Sequence, residues 1–207
     1  MAQIRRHQFK LVGGHVVLDF INTVHDWTVS ETCDYLTEFA DAIRFGEAVG
    51  LLTRADNLRF RRRTSHIELA RLRELRALLQ RIFQLRLSGQ PPRNSDLRKL
   101  SSGIAEAARA TRLIAATRTH RSRQVPLIRE ITTGNARDAL LRLRIVEAAV
   151  ALLVSDAMLR VKSCPACGWF FLDVSKNQSR RWCSMDTCGA VAKARRYYRR
   201  LKERADS

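Results

Sequence analysis

Apolar residues recur at helical spacing over most of the first 160 residues, and this pattern predicts a mainly α-helical body. The clearest segment is SHIELARLRELRALLQRIFQLRLSG, in which leucine and isoleucine recur three or four residues apart with arginines between them. Ser65 is placed to cap its start, with Glu68 three residues on, and Gly89 ends it. Most arginines of these helices are expected on the solvent side.

Three further helices and one extended segment complete the predicted body. FADAIRFGEAVGLL predicts a helix that ends near Gly50, and two more are expected over about 94–120 and 137–159. The N-terminal LVGGHVVLDFINTVHDW alternates apolar and polar positions after two glycines, so it predicts a short strand leading into a loop. We therefore expect one multi-helix domain over residues 1–160, with no long linker after it.

Four of the five cysteines lie in CPACGWFFLDVSKNQSRRWCSMDTC, as a C-x2-C pair and a C-x4-C pair. Two residues between paired cysteines let a tight turn bring both thiolates to one metal ion, and Gly168 supplies backbone freedom there. Between the pairs, WFFLD and RRWC predict the two strands of a β-hairpin around the turn-rich SKNQS. A helix should begin after Gly189, which completes a small treble-clef-like finger over residues 161–207.

Cys164, Cys167, Cys183 and Cys188 together predict one structural Zn²⁺, because four thiolates close the tetrahedron and leave no open position. Four unrelated buried cysteines, or two redox disulfides, are the alternatives. Cys33 stands far from the four in sequence and is expected to be a buried or incidental thiol. No histidine lies between the cysteines, so a nuclease that needs a histidine base is not expected on this outline.

The charge of the chain favours a polyanionic partner. Lys and Arg number 38 against 20 Asp and Glu, a net charge of +18, which indicates nucleic acid first and an anionic membrane surface second. Residues 160–207 hold 12 basic and 4 acidic residues, so this tail is more than twice as positive per residue as the rest. The tail is therefore the candidate contact surface.

The helix after Gly189 is amphipathic on a helical wheel. Val191, Ala194, Tyr198 and Leu201 share one arc, which is expected to pack on the hairpin and the metal knuckle. The remaining circumference is basic, and with two arginines of the return strand it predicts a nucleic-acid surface made of Arg180, Arg181, Lys193, Arg195, Arg196, Arg199 and Arg200. Pairing of one arginine of the strand with Asp173, or a protein-docking or solubility role for the helix, are the alternatives.

CPACGWFFLDVSKNQSRRWCSMDTCGAVAKARR resembles the CGNR-type zinc finger, whose pattern joins C-x-x-C, F-x-D, R-R-W-C-S-M and a C-G before a basic helix. GGHVVLDFINT resembles the start of the helical domain that accompanies this finger in the family of putative stress-induced transcription regulators. The resemblance implies a bacterial protein with a mainly α-helical N-terminal domain and a DNA-binding finger. Ala190 and Val191 depart from the family's Asn-Arg, so Lys193, Arg195 or Arg196 would replace that arginine.

These observations predict a non-enzymatic, cytoplasmic, zinc-dependent transcription regulator that binds DNA through the basic helix. The helical domain would serve sensing or dimerisation, with a homodimer and a small-molecule effector among the partners considered. The sequence shows neither a signal-peptide pattern nor a stretch long enough to span a membrane. In one alternative the finger binds RNA or the ribosome, and Trp182, Tyr197 and Tyr198 stack on bases.

The other alternative makes the helical domain an enzyme or a small-molecule binder with the finger as an accessory. Its pocket would be lined by Asp19, Asn22 and His25, the polar residues in and after LDFINT. In the competing interpretation, Asp19 and Asn22 only satisfy backbone groups at a turn.

Overall fold

The computed structural model of the chain describes residues 9–30, 32–60, 65–115, 125–132 and 137–205. Within these ranges lie seven α-helices: α1 Val16–Ile21, α2 Phe39–Ala48, α3 Arg54–Phe60, α4 His66–Leu87, α5 Asn94–Ala110, α6 Leu140–Leu153 and α7 Ala190–Ala205. Four short strands form two antiparallel pairs, β1 Thr111–Ala115 with β2 Leu127–Ile131 and β3 Val161–Ser163 with β4 Phe170–Leu172. The mainly α-helical class with a small C-terminal finger is confirmed.

Helix α4 lies in the middle of the body and follows its predicted pattern. The Ser65 hydroxyl accepts a hydrogen bond from the Glu68 N–H at 3.3 Å, which caps the helix start as expected. The apolar stripe is buried against α1, α2, α5 and α6, and it includes Leu72, Leu75, Leu79 and Ile82. Burial of each such side chain contributes about 1.5–3 kcal/mol, so this stripe organises the body.

The N-terminal motif forms helix α1, so the predicted strand is wrong. His15 Nδ1 accepts the Val17 N–H at 3.3 Å and caps the helix, and five of its six residues are buried against α4, α6 and β4. A helix that is buried nearly all round shows no amphipathic period. Its short apolar sequence therefore looks the same as that of a strand.

Two other predicted helices end earlier than expected. Helix α5 stops at Ala110 and the chain continues as β1, while the far end of the predicted segment, near residue 120, lies outside the described residues. The Thr111 hydroxyl donates to the Ala107 carbonyl, and the two β-branched residues of β1, Thr111 and Ile114, favour a strand. Helix α6 covers only Leu140–Leu153, with a 3₁₀ turn before it at Arg137–Ala139 and another after it at Asp156–Arg160.

Two arginines of the body are buried rather than facing solvent. Arg76 donates from Nη1 to the Thr23 carbonyl at 3.0 Å and to Asp34 at 2.8 Å, which holds the segment after α1 on α4. Arg142 of α6 pairs with Glu68 of α4 and with Glu106 of α5, where both distances to Glu106 are 2.8 Å. These pairs satisfy charges that would be costly inside the body alone.

Candidate metal centre and adjoining basic surface

The C-x2-C turn is itself the turn of the β3–β4 hairpin. Val161 pairs with Leu172 and Ser163 with Phe170, and the Cys164 N–H donates to the Trp169 carbonyl at 2.8 Å to close the turn. The predicted hairpin is therefore half wrong, because WFFLD contains β4 but RRWC forms no strand. The outer edge of β4 is already taken by the N-terminal segment, where the Leu172 N–H donates to the Gly13 carbonyl at 2.7 Å.

The four predicted ligands come together at one point. The Sγ atoms of Cys167, Cys183 and Cys188 are 3.6–3.7 Å apart, and that of Cys164 lies within 4.8 Å of each of them. A Zn²⁺ with Zn–S bonds of about 2.3 Å in a tetrahedron separates its sulfurs by about 3.8 Å. A disulfide would need about 2.05 Å, so the geometry fits one metal ion and excludes two disulfides. Cys33 is exposed and lies outside this set.

Two of the four thiols, Cys167 and Cys188, are hard to ionise where they lie unless a cation is near. The Cys183 sulfur and burial raise the pKa of the Cys167 thiol far above its usual range, and burial raises the pKa of Cys188 to about 11. Burial also acts on Cys164, but backbone N–H groups of Cys183, Ala166 and Cys167 outweigh it and lower the pKa of that thiol. A bound Zn²⁺ supplies the positive charge that keeps all four as thiolates.

The last ligand lies in a π-helical turn, Met185–Gly189, that runs directly into α7. A Cβ on Gly189 would lie 2.9 Å from the Met185 sulfur and 3.3 Å from the Trp182 ring. A side chain at this position would therefore displace the end of Met185 and crowd the Trp182 ring at the start of the helix. This gives the C-G of the pattern a physical role that does not depend on the Asn-Arg that usually follows it.

Asp173 holds the turn between the two cysteine pairs. Its carboxylate is fully buried and accepts hydrogen bonds from Lys162 Nζ at 2.7 Å and from the N–H groups of Ser175 and Arg180 at 3.0 Å. Burial alone would raise the pKa of Asp173, but the Lys162 and Ser175 hydrogen bonds hold it well below its usual range. The alternative in which an arginine side chain pairs with Asp173 does not hold for Arg180, because Lys162 makes the ion pair and Arg180 contacts this carboxylate only through its backbone N–H.

The Arg180 guanidinium points into the finger. It donates to the carbonyls of Val12 at 2.9 Å and Trp182 at 3.1 Å, and its central carbon lies 4.4 Å from the centroid of the Phe171 ring. Arg180 therefore joins the N-terminal segment to the finger. Of the seven residues predicted to contact nucleic acid, Arg180 is the one whose guanidinium donates hydrogen bonds to backbone carbonyls within the protein.

The three residues predicted for a ligand pocket make other contacts. Asn22 accepts the Phe170 N–H at 2.9 Å and donates to the Phe170 carbonyl at 2.8 Å, and Asp19 accepts the Gly13 N–H at 2.8 Å. Burial raises the pKa of Asp19 to about 6, against the effect of the Gly13 hydrogen bond. His25 lies at the surface, with Nδ1 3.0 Å from the Tyr35 hydroxyl. Asp19 and Asn22 thus satisfy backbone groups, as in the competing interpretation.

We call the contact between residues 12–27 and 167–172 the finger–body interface. Besides the Asn22 pair, the Trp27 N–H donates to the Cys167 carbonyl and Trp169 Nε1 to the Val24 carbonyl, both at 2.9 Å. Neighbouring residues of β4 belong to two cores, since Phe170 packs into the helical body and its successor Phe171 packs beside the cysteines. The lack of a long linker predicts that the finger packs close to the body, but the sequence did not show which residues make this contact.

The apolar arc of helix α7 stays exposed, so the predicted packing of this arc on the hairpin is wrong. Val191 is 50% exposed, Tyr198 69% and Leu201 43%. A helical wheel shows which residues share a face but not which face meets the finger. Here Cys188 and Gly189 fix the start of the helix, and Val191 of the arc lines a cleft beside the knuckle together with Arg195, Arg196 and Arg199.

Fold and site together define a four-cysteine zinc-finger protein with a helical body. Two family models match the chain, the CGNR zinc finger over residues 160–201 and the Putative stress-induced transcription regulator over residues 14–156. The second match covers more than half of the chain, and the protein therefore belongs to this regulator family. It is a zinc-binding regulator with one structural Zn²⁺.

A search of curated proteins finds no match. Among the described residues, no helix has the length and apolar character needed to cross a membrane.

Proposed function

We propose that the protein is a non-enzymatic, cytoplasmic transcription regulator that binds DNA through the basic side of α7. The observation that carries this proposal is the exposure of the whole basic set of the helix, Lys193, Arg195, Arg196, Arg199, Arg200, Lys202 and Arg204. Exposed guanidinium and ammonium groups on one rigid helix are suited to phosphates and to guanine edges. The helix is about 24 Å long by its 16 residues, which suffices to lie along a groove of DNA.

The missing Asn-Arg of the family pattern is compatible with this role. Val191, where that arginine would stand, is half exposed and carries no charge. Arg195 follows one turn later on the same side of α7, so its guanidinium can serve the same surface. We therefore assign to Arg195 the contact that the family's arginine would make.

The zinc site supports a structural role rather than catalysis. Four thiolates complete the coordination of Zn²⁺, which leaves no position for water or substrate. The metal instead fixes the knuckle and the start of α7, and so orients the basic side. This supports a regulator without enzymatic activity.

RNA is the second candidate partner, because two tyrosines project from α7. Tyr197 is 61% and Tyr198 69% exposed, with their ring centroids 5.8 Å apart. Exposed aromatic rings beside arginines can stack on unpaired bases. Replacing both tyrosines with alanine should weaken binding to single-stranded RNA while leaving binding to duplex DNA nearly unchanged.

Replacement of Lys193, Arg196 and Arg200 with alanine tests the DNA contact. Each lost phosphate contact should lower the slope of log affinity against log salt by about 0.9 for duplex DNA. Alanine preserves the helix, so zinc content and helicity should stay the same. Fluorescence anisotropy at several salt concentrations measures both affinity and slope, and sequencing of nucleic acid crosslinked to the protein in cells separates DNA from RNA.

A matched control removes the same charge from the body, at the exposed Arg54, Arg93 and Arg98. The control should retain the affinity and the salt slope of the wild type. Equal losses in the two triple variants would mean that net charge alone drives binding, and would refute the assignment to α7.

A further inference from the structure

A cleft of about 280 Å³ separates the C-x2-C knuckle from the first turns of α7. Pro165 of the knuckle lies on one side, and Arg195, Arg196 and Arg199 of the helix lie on the other. Arg181 and Trp182 form the wall between them. The cleft is thus built from three pieces of chain that meet only because the four cysteines hold them together.

Apart from the metal ligand Cys188, the charged residues that line this cleft within the described chain are the four arginines Arg181, Arg195, Arg196 and Arg199, whose positive charge exceeds the net negative charge of a zinc ion with four thiolates. Four guanidinium groups around one small space repel each other unless an anion lies between them. Arg199 Nε also lies 3.9 Å from Glu203, but both side chains are about 70% exposed, so water screens that pair. The charge of the cleft therefore favours an anionic ligand.

The arginine opposite the helix is restrained by an aromatic ring before any ligand binds. The guanidinium carbon of Arg181 lies 5.0 Å from the centroid of the Trp182 ring, a cation–π contact. Trp182 in turn packs on Gly189 and directly precedes the metal ligand Cys183. A guanidinium restrained in this way loses less conformational entropy than a free one when it binds two oxygens of a phosphate.

We infer that this cleft is a phosphate-binding site. The inference rests on the proposed function: the bound phosphate belongs to the DNA backbone. It is held between Arg181 on the finger and Arg195 and Arg199 on α7. The volume lies near the lower end of the range for small-ligand pockets, which suits a single phosphate with its sugar. A phosphate bound on both sides fixes the angle at which α7 meets the DNA.

The first test uses inorganic phosphate and the zinc-loaded protein without DNA. Phosphate is titrated at constant ionic strength while NMR follows the arginine Nε–H and tryptophan indole signals. The Arg181→Gln/Arg195→Gln variant should bind phosphate about tenfold or more weakly, as expected for the loss of charged hydrogen bonds. Arg54→Gln/Arg98→Gln, which removes the same charge from exposed positions of the body, should bind like the wild type.

Equal phosphate affinity in the two double variants would refute the assignment of phosphate binding to this cleft. The single change Arg181→Lys keeps the charge but removes the planar fork, so it should fall between wild type and the double variant. Zinc content and circular dichroism confirm that each variant is folded. Because Arg181 and Arg195 are exposed, their replacement should not disturb the metal site.

The second test identifies the source of the phosphate. A set of short duplexes is made with the sequence found by crosslinking, and each duplex carries one neutral methylphosphonate linkage at a different position. At one position the linkage should weaken binding of the wild type about tenfold. The same linkage should not weaken binding of Arg181→Gln/Arg195→Gln any further. If no linkage has this effect although phosphate still binds, the DNA-backbone assignment is overturned and the ligand is a free phosphorylated molecule. If the wild type binds phosphate but not duplex DNA, the proposed function is refuted, while the assignment of the cleft as a phosphate-binding site is retained.

Discussion

Replacement of Asn22 with alanine should weaken the finger–body interface. The side chain makes two hydrogen bonds to the backbone of Phe170, at 2.8 and 2.9 Å, and is 3% exposed. Each buried group left without a partner costs about 1–3 kcal/mol, so the two together should lower the free energy of unfolding by about 2–6 kcal/mol. Against a typical total of about 5–15 kcal/mol, this is a large loss.

Urea unfolding of the zinc-loaded protein, followed by circular dichroism, measures this loss, and a chromogenic chelator measures how fast zinc is released. We expect faster zinc release from Asn22→Ala, because the strand that leads out of the knuckle loses its anchor. Asn94→Ala, at the exposed first turn of α5, is the control and should change stability by less than about 0.5 kcal/mol. If Asn22→Ala behaves like this control, Asn22 does not hold the finger.

Asn22→Asp separates the two hydrogen bonds. The aspartate can still accept the Phe170 N–H, but it places a second acceptor against the Phe170 carbonyl. We therefore expect it to cost at least as much as alanine at neutral pH. A stable Asn22→Asp protein would show that the donor half of the contact is dispensable.

Three further predictions concern the metal, a buried acid and a pair of glycines. Metal analysis should find one zinc per chain, and chelation should unfold residues 161–205, because so small a core depends on metal binding; a folded, zinc-free finger would contradict the site. Since the pKa of Asp19 rises from 3.8 to about 6 on folding, the folded state holds a proton that the unfolded chain releases, and stability should fall as pH rises from about 4 to 6. Asp19→Asn should flatten that decline in urea unfolding, and parallel pH profiles would disprove it. Gly50→Ala should lower the free energy of unfolding by about 1–2 kcal/mol, because its φ is 74° and nothing else opposes a side chain there. Gly168→Ala should lower it by about 1–3 kcal/mol more, because its φ is 71° and the new Cβ would lie 2.8 Å from Trp27. Equal losses in stability would mean that Trp27 moves aside.

Local patterns predicted the parts of the fold that depend on local physics. The spacing of the four cysteines was enough for the metal site, because a C-x2-C turn brings two ligands together whatever surrounds it. The Ser65 cap and the leucine stripe of α4 were likewise visible, since capping and amphipathic period are both set within a few residues.

The errors arose where a contact distant in sequence decides the structure. β4 could have paired with residues on either side of it, and the choice depends on Gly13 and Asn22, which occupy its outer edge. The orientation of α7 depends on how Cys188 and Gly189 are held, not on the wheel itself. Helix α1 is buried on nearly all sides, so its sequence carries no period to read.

Strand β4 also limits how the finger and the body could be exchanged separately, in evolution or in engineering. Because Phe170 fills the helical body while Phe171 covers the cysteines, neither half can be exchanged without leaving a hole in the other. A finger moved to a foreign chain would carry an exposed phenylalanine, and the body left behind would lose part of its filling. Zinc supply would then govern the survival of the whole polypeptide, since a cell short of the metal would present an open hydrophobic surface to its proteases.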